Sequence, residues 1–336
     1  MVFVPDDVLD HVVAAIDAPD LGHTKYRVLR RLGEGGMGEV WAARDEELGR
    51  EVAFKIAGAE QSELCTRLRR EAQVIAGLEH PGIVPVHDVG VLPDGRVWYA
   101  MKIVRGERLD TWIERDPDLR AVLRMFARVC EAVAFAHAHG VIHRDLKPAN
   151  VMVGEFGEAL VMDWGLAKVV GTAEVRTREL ALPSASTAVG AVIGTLAFMP
   201  PEQARGEIDI LDARADVYAL GAMLYFLLAR RPPFEARSPE ALQQAVIEGD
   251  AALLPADIPR ALQSICARAM ARDRDARYGS ARELAEDIEL WLDGQRPRAH
   301  RESPLERVAR VAARHRVLLS LLGVYLVVRL LLAVAT

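Results

Sequence analysis

Two kinds of hydrophobic periodicity divide this chain, and they do not intermix. From Tyr26 to Ile103 short β-rich runs alternate with turns: Val28-Leu29, Val40-Trp41-Ala42, Val52-Ala53-Phe54-Lys55-Ile56, Ile83-Val84 and Val97-Trp98-Tyr99-Ala100-Met101. One helix interrupts them, where Leu64, Leu68, Glu71, Val74, Ile75 and Leu78 recur at spacings of three and four before His80-Pro81-Gly82. After Gly106 the period becomes helical. Leu119 to His139 carries a long apolar stripe stopped by Gly140, and helical runs follow at 215–228, 239–247 and up to Leu292. Segregated strands and helices predict an α+β architecture of two lobes, with the site in the cleft between them.

The composition supports a packed chain. Apolar residues make up 51% of 336, enough to bury two lobes and too many for a disordered protein. The net charge of −6 gives the chain no overall attraction for nucleic acid, which is not expected as a partner. Cys65, Cys130 and Cys266 match no disulfide or metal spacing and read as reduced core thiols.

Gly33-Glu34-Gly35-Gly36-Met37-Gly38 fits G-x-G-x-x-G, a weak pattern by itself. The turn at Leu48-Gly49-Arg50 comes too soon for a crossover helix, so a strand–loop–strand hairpin lying over phosphates is expected. Lys55 sits in an apolar strand where an unpaired ammonium is costly, and Glu71, on the following helix, can supply the opposite charge. The most specific segment is His143-Arg144-Asp145-Leu146-Lys147-Pro148-Ala149-Asn150, just past a helix stop. There Asp145 can point a carboxylate at a hydroxyl proton, and Asn150, five residues on, an amide oxygen at a metal. Lys147 adds a cation, and Asp163-Trp164-Gly165 offers a second metal carboxylate after an apolar run.

This set, in this order, resembles the signature of eukaryotic-type Ser/Thr protein kinases, in particular bacterial members that join a cytoplasmic kinase domain to a membrane helix. The resemblance runs over residues 26–292 and continues through Gly194-Thr195, Pro201-Glu202, Asp216-Val217-Tyr218-Ala219-Leu220-Gly221 and Arg277, which in the family pairs with the position of Glu202. Departures are Trp164 for the usual Phe, Pro200 for the usual Ala, and Lys102 where many relatives carry Glu.

The resemblance implies a bilobal protein kinase fold, with a β-rich N-lobe of about 26–105 and a helical C-lobe of about 106–292. It implies ATP and Mg2+ as cofactors, with Mn2+ as a substitute, and proteins bearing Ser or Thr as substrates. Leu32, Gly33, Gly35, Gly38, Val40, Ala53, Lys55, Glu71 and Met101 would bind ATP, and Asn150 and Asp163 the metal. Asp145 would take the hydroxyl proton while Lys147 stabilises the phosphoryl group. Arg144 beside Asp145 can pair with a phosphate on the hydroxyl-rich loop before Glu202, with Ser186 or Thr187 the expected autophosphorylation site. Thr195 is expected to contact the catalytic loop instead.

The ends carry separate expectations. Residues 1–25 form an N-terminal extension with a short amphipathic helix and no secretory signal. Residues 317–335 read VLLSLLGVYLVVRLLLAVA, whose eight Leu and five Val contribute about −4 to −8 kcal/mol to insertion against about 3 for Arg329. That predicts a single membrane-spanning helix. The Arg-rich juxtamembrane segment 293–316 marks its cytoplasmic side, so the kinase domain should face the cytoplasm at the inner membrane. With only Thr336 beyond it, the chain reads as tail-anchored or as one piece of a longer product. A homodimer through the kinase lobe or the membrane helix is also open. The competing reading is a pseudokinase scaffold that binds nucleotide and partners without turnover; Lys55, Asp145 and Asp163, all present, argue against it. A small-molecule kinase would lack the long segment ending in Gly194-Thr195 and Pro201-Glu202.

Overall fold

The structure is a computed structural model that describes residues 18–35, 38–58, 62–169, 194–249, 251–304, 306–308, 321 and 325. The N-lobe is a five-stranded antiparallel sheet of β1 (Tyr26–Gly35), β2 (Gly38–Asp45), β3 (Arg50–Ala57), β4 (Val86–Val91) and β5 (Val97–Lys102), in the order β1-β2-β3-β5-β4. Successive side chains of a strand face opposite sides, and β3 uses both. Val52, Phe54 and Ile56 enter an outer core with Tyr26, Trp41 and Trp98, where the Phe54 and Trp98 rings stack at 4.5 Å. Ala53 and Ala57 face inward with Tyr99 and Met101, against Leu68 and Ala72 of α1 (Ser62–Ala76). Lys55 shares that inner side, because it alternates with Phe54 and Ile56.

Two details differ from the sequence reading. Ile83 and Val84 are buried but build no strand; Ile83 makes a single parallel bridge to Val161. The expected short strand is replaced by β4, whose His87, Asp88 and Gly90 break the apolar alternation at an edge position.

The C-lobe is built on α2 (Leu119–Ala138) and α3 (Ala213–Ala229). Asp118 caps α2 by accepting from the amides of Arg120 and Ala121, and Gly140, with φ 73°, lets the chain turn away at its end. α3 is buried nearly all round, and α4 (Pro239–Glu248), α5 (Arg260–Ala269) and α6 (Ala281–Leu292) complete the lobe. β6 (Gly106–Arg108) precedes α2, and between α2 and α3 the chain lays down β7 (Val141–Ile142), β8 (Val151–Gly154), β9 (Ala159–Val161) and β10 (Lys168–Val169); these form small sheets that hold the loops facing the cleft. Thus the β-rich lobe precedes the helical lobe, as segregated periodicity implies.

The chain stays on the C-lobe beyond α6. Asp287, fully buried, accepts from the Tyr278 hydroxyl (2.8 Å) and from the amides of Arg298 (2.7 Å) and Ala299 (2.9 Å). His300 Nδ1 then meets Ser264 Oγ at 3.0 Å. All three cysteines are free; Cys130 and Cys266 are buried and Cys65 half-buried. Burial pushes the Cys266 thiol up to about 12, in keeping with an inert core thiol. The N-terminal amphipathic helix, Ser186, Thr187 and, apart from 321 and 325, the apolar run 317–335 lie outside the described residues. Among the described residues no helix is long and apolar enough to cross a membrane.

Candidate active site

The Gly-rich segment closes the β1–β2 hairpin, with Gly35 opposite Gly38. Gly38 has φ 136°, and a Cβ there would lie 1.9 Å from the Ile56 carbonyl oxygen, so only glycine fits. At Gly33 an added Cβ would meet nothing within 4 Å. The fold does not require that glycine, and its bare backbone leaves room for a ligand to approach. Leu32, beside it, is exposed. Val40 and the buried Ala53 belong to the inner-face cluster with Met101, which is buried opposite Ala53 in the register of β3 and β5. Met152, Ile103 and Val104 close the same apolar wall.

Below that wall lies a buried ion pair. Lys55 Nζ contacts Glu71 Oε1 at 2.9 Å and Oε2 at 3.1 Å, and Tyr99 donates its hydroxyl to Oε1 at 2.9 Å. The packing of α1 on β5 brings Glu71 across from Lys55, as their charges and positions predict. Burial opposes the Lys55 ammonium, but Glu71, Tyr99 and Asp163 carry its pKa well above the ordinary lysine value. Lys55 Nζ also reaches Asp163 Oδ1 at 3.4 Å, which joins the two lobes. Asp163 has φ 61°, a left-handed backbone rare outside glycine, and its carboxylate is 42% exposed toward the cleft. Its pKa lies below the ordinary carboxylate range: burial raises it, and Lys55, His143 and Lys147 outweigh that.

The loop from His143 to Asn150 supplies the opposite side. Lys147 Nζ contacts Asp145 Oδ2 at 2.9 Å and the Thr195 hydroxyl at 2.7 Å, so Thr195 does touch this loop. Asn150 Nδ2 donates to the Asp145 carbonyl oxygen (2.7 Å) and to Asp145 Oδ2 (3.0 Å). Both amide protons are thereby committed, and the amide oxygen remains as the acceptor end of Asn150. An amide oxygen and the Asp163 carboxylate are hard oxygen donors of the kind a Mg2+ ion takes, and Gly33 stands across Val40 from Lys55 in the register of β1, β2 and β3; the residues present fit ATP and a divalent metal.

Several residues hold this loop that its sequence alone does not reveal. Asp216 at the start of α3 accepts from the amides of His143 (2.8 Å) and Arg144 (2.9 Å) and from His137 Nε2 (2.7 Å). These contacts hold Arg144 in its left-handed conformation, φ 69°. His137 serves Asp216, and His139 donates Nδ1–H to the Phe135 carbonyl at 2.8 Å. His143 donates Nε2–H to the Met162 carbonyl (2.9 Å), leaving Nδ1 to accept from the Asp145 amide (3.3 Å). Trp164 is buried against the His143 ring at 4.6 Å and donates to the Val161 carbonyl at 3.4 Å, a bond the usual Phe cannot make. Gln203 donates to the Arg144 carbonyl at 2.9 Å, and Arg277 pairs with Glu202 as expected, through two bonds of 2.7 and 2.8 Å. The partners Asp216 and Glu202 were legible as motif residues; His137 and Gln203 carried no signal of their own.

Residues 26–288 match the family described as protein kinase domain. The chain is 37% identical over 301 residues to serine/threonine-protein kinase PknB of Mycolicibacterium smegmatis, covering 86% of this chain and 46% of that protein. It is 39% identical over 282 residues to the probable serine/threonine-protein kinase SCO3848 of Streptomyces coelicolor, covering 81% and 40%. With PknB of Mycobacterium tuberculosis the identity is 35% over 286 residues, covering 82% and 44%. The chain therefore spans less than half the length of these curated relatives. Both the matched span and the paired motifs lead to one conclusion: the chain belongs to the protein kinase family.

Proposed function

We propose that this chain transfers the γ-phosphoryl group of ATP to Ser and Thr hydroxyls of proteins. The observation that carries the reading is the pair of charge clusters facing one cleft: Lys55–Glu71 with Asp163 on one side, Asp145–Lys147–Asn150 on the other. The names of the relatives, serine/threonine-protein kinases, support it.

Gly33, Gly35 and Gly38 carry the backbone over the phosphates, and Val40, Ala53 and Met101 supply the apolar wall for adenine. Lys55, oriented by Glu71 and Tyr99, neutralises phosphate charge. Asn150 and Asp163 would hold Mg2+, which when bound offsets charge on the phosphate oxygens. Asp145 accepts the substrate hydroxyl proton as the new O–P bond forms and the bond to ADP breaks. Lys147 steadies Asp145 and the charge on the transferring group. Because the transition state is loose, such positioning and electrostatics supply most of the rate.

Phosphorylation of Ser186 or Thr187, read by Arg144, would activate the enzyme. Residues 317–335 would anchor it in a membrane, with segment 293–316 and the two lobes on the cytoplasmic side; the Arg excess and the apolar run support this. The test is incorporation of label from [γ-32P]ATP and Mg2+ into Ser or Thr by the full chain, beside Asp145→Asn. Label that vanishes in the variant is expected. A chain that binds MgATP and yields no label in any activated state refutes the transfer.

A further inference from the structure

The cleft leaves a second cluster of charge on the N-lobe unused. Behind the chain that links the lobes, a recess of about 610 Å3 opens between the β2–β3 turn, β4 and the end of β5. Arg44, Arg50, Lys102 and Arg105 line it together with His87, and among the described residues Glu51 is the one carboxylate of its wall. Glu51 lies 3.5 Å from Arg105, and Arg50 lies 3.8 Å from Asp45. Among the described residues no carboxylate comes within 4.0 Å of the charged groups of Arg44 or Lys102.

Four cations around one cavity, against a single lining carboxylate, repel one another in a protein whose overall charge is −6. The volume is that of a small-molecule site, which commonly runs from about 300 to 1,000 Å3. Three of the cations are arginines, whose planar forks match phosphate oxygens in pairs. They enter from three directions: Arg44 from β2, Arg50 from the start of β3, and Lys102 with Arg105 from the end of β5 and just beyond. One phosphate group is too small to satisfy guanidinium groups arriving from all three.

We infer that this recess binds a soluble small molecule carrying two or more phosphate groups. Its wall is shared with the nucleotide side, since Ile103 lines the recess and also packs in the inner-face cluster with Val40 and Ala53. The site is separate from the Lys55 phosphate region, because Lys55 lies further along β3, paired with Val40 and Tyr99, none of which lines the recess.

The test is calorimetric titration of the full-length chain in detergent with inorganic tripolyphosphate, without divalent metal and at physiological salt. Saturable binding is expected, weakened about tenfold or more by Arg44→Gln/Arg50→Gln, largely restored by Arg44→Lys/Arg50→Lys, and retained in Lys55→Met. Lys102→Gln/Arg105→Gln should give the same loss and stands in if the first pair fails to fold. Orthophosphate should bind at least tenfold more weakly. The inference is overturned if tripolyphosphate shows no saturable binding, if the glutamine variants bind it unchanged, if Lys55→Met alone abolishes it, or if orthophosphate binds as tightly.

Discussion

Replacing Arg277 by Met should cost more stability than its distance from the cleft suggests. The guanidinium is inaccessible to solvent, and so is the Glu202 carboxylate it holds by two bonds. Arg277 also donates to the carbonyls of Ala271 (2.7 Å), Arg214 (3.0 Å) and Arg272 (3.3 Å) and stacks on Tyr218 at 4.9 Å. Met fills much of the volume but leaves Glu202 charged and unpaired in a dry site, a loss of about 3–5 kcal/mol. At about 2–4 °C per kcal/mol for a chain of this size, the melting temperature should fall by about 6–20 °C. The same substitution frees the segment from Thr195 to Ala204, which carries the Thr195 contact to Lys147 and the Gln203 contact to Arg144. Phosphoryl transfer should therefore drop in kcat with KM for ATP little changed. Circular dichroism melts of the full chain would read the stability, and Glu202→Leu/Arg277→Met is the control. With both charges gone, the double variant should recover part of the loss, because apolar replacement of a buried pair is often near neutral. A single variant melting within about 2 °C of the parent, or a double variant less stable than Arg277→Met, would refute the reasoning.

The two glycines of the hairpin should separate by readout. Gly38→Ala forces a Cβ onto the Ile56 carbonyl and should lower the melting temperature, whereas Gly33→Ala should leave it unchanged and weaken ATP, measured by calorimetry. Tyr99→Phe removes one donor from Glu71 at a cost of about 1–2 kcal/mol, visible in urea unfolding, and should raise KM for ATP a few-fold. Asp216→Asn should destabilise the chain by about 2–4 kcal/mol at neutral pH, since it turns an acceptor of three donors into an amide. Burial raises the Asp216 pKa, but His137, His143 and the Arg144 amide bring it below the ordinary value. A depressed folded-state pKa gives stability that is fully present above the unfolded value of about 3.9 and lost as pH falls through the lower folded value. The gap between parent and Asp216→Asn should thus stay constant from pH 7 to about 5 and close only below about 4, as followed by unfolding at each pH.

What could be read in advance follows the range of the interactions. The strand pattern, the two long helices and the charged motifs are local, and periodicity with glycine stops locates them. β4 escapes because an edge strand need not alternate, and His87, Asp88 and Gly90 hide its period. α5 was legible in principle, as Leu262, Ile265, Cys266 and Ala269 recur at helical spacing, but Pro259 and a short length mask it. At the site, residues fixed by chemistry stand out: Lys55 in an apolar strand, Asp145 with Asn150 on a loop. Those fixed by packing do not. His137 meets Asp216 across 79 positions, and Gln203 meets the Arg144 carbonyl across 59. No spacing rule reaches that far.

The capture of the Arg298 and Ala299 amides by Asp287 also sets a leash. Those bonds clamp the outgoing chain to the C-lobe, and the hold continues to Glu306, whose carboxylate accepts from the Ser303 amide at 2.7 Å and lies 3.5 Å from His300. From Glu306 to residue 317 the chain can span at most about 40 Å. Anchored as proposed, the enzyme would patrol a shell of roughly that depth above the bilayer. Substrates held at the membrane would meet it at high local concentration, while those deeper in the cytoplasm would have to come to it. Loosening the clamp with Asp287→Ala would lengthen the leash by a few residues and widen the territory, without touching the cleft.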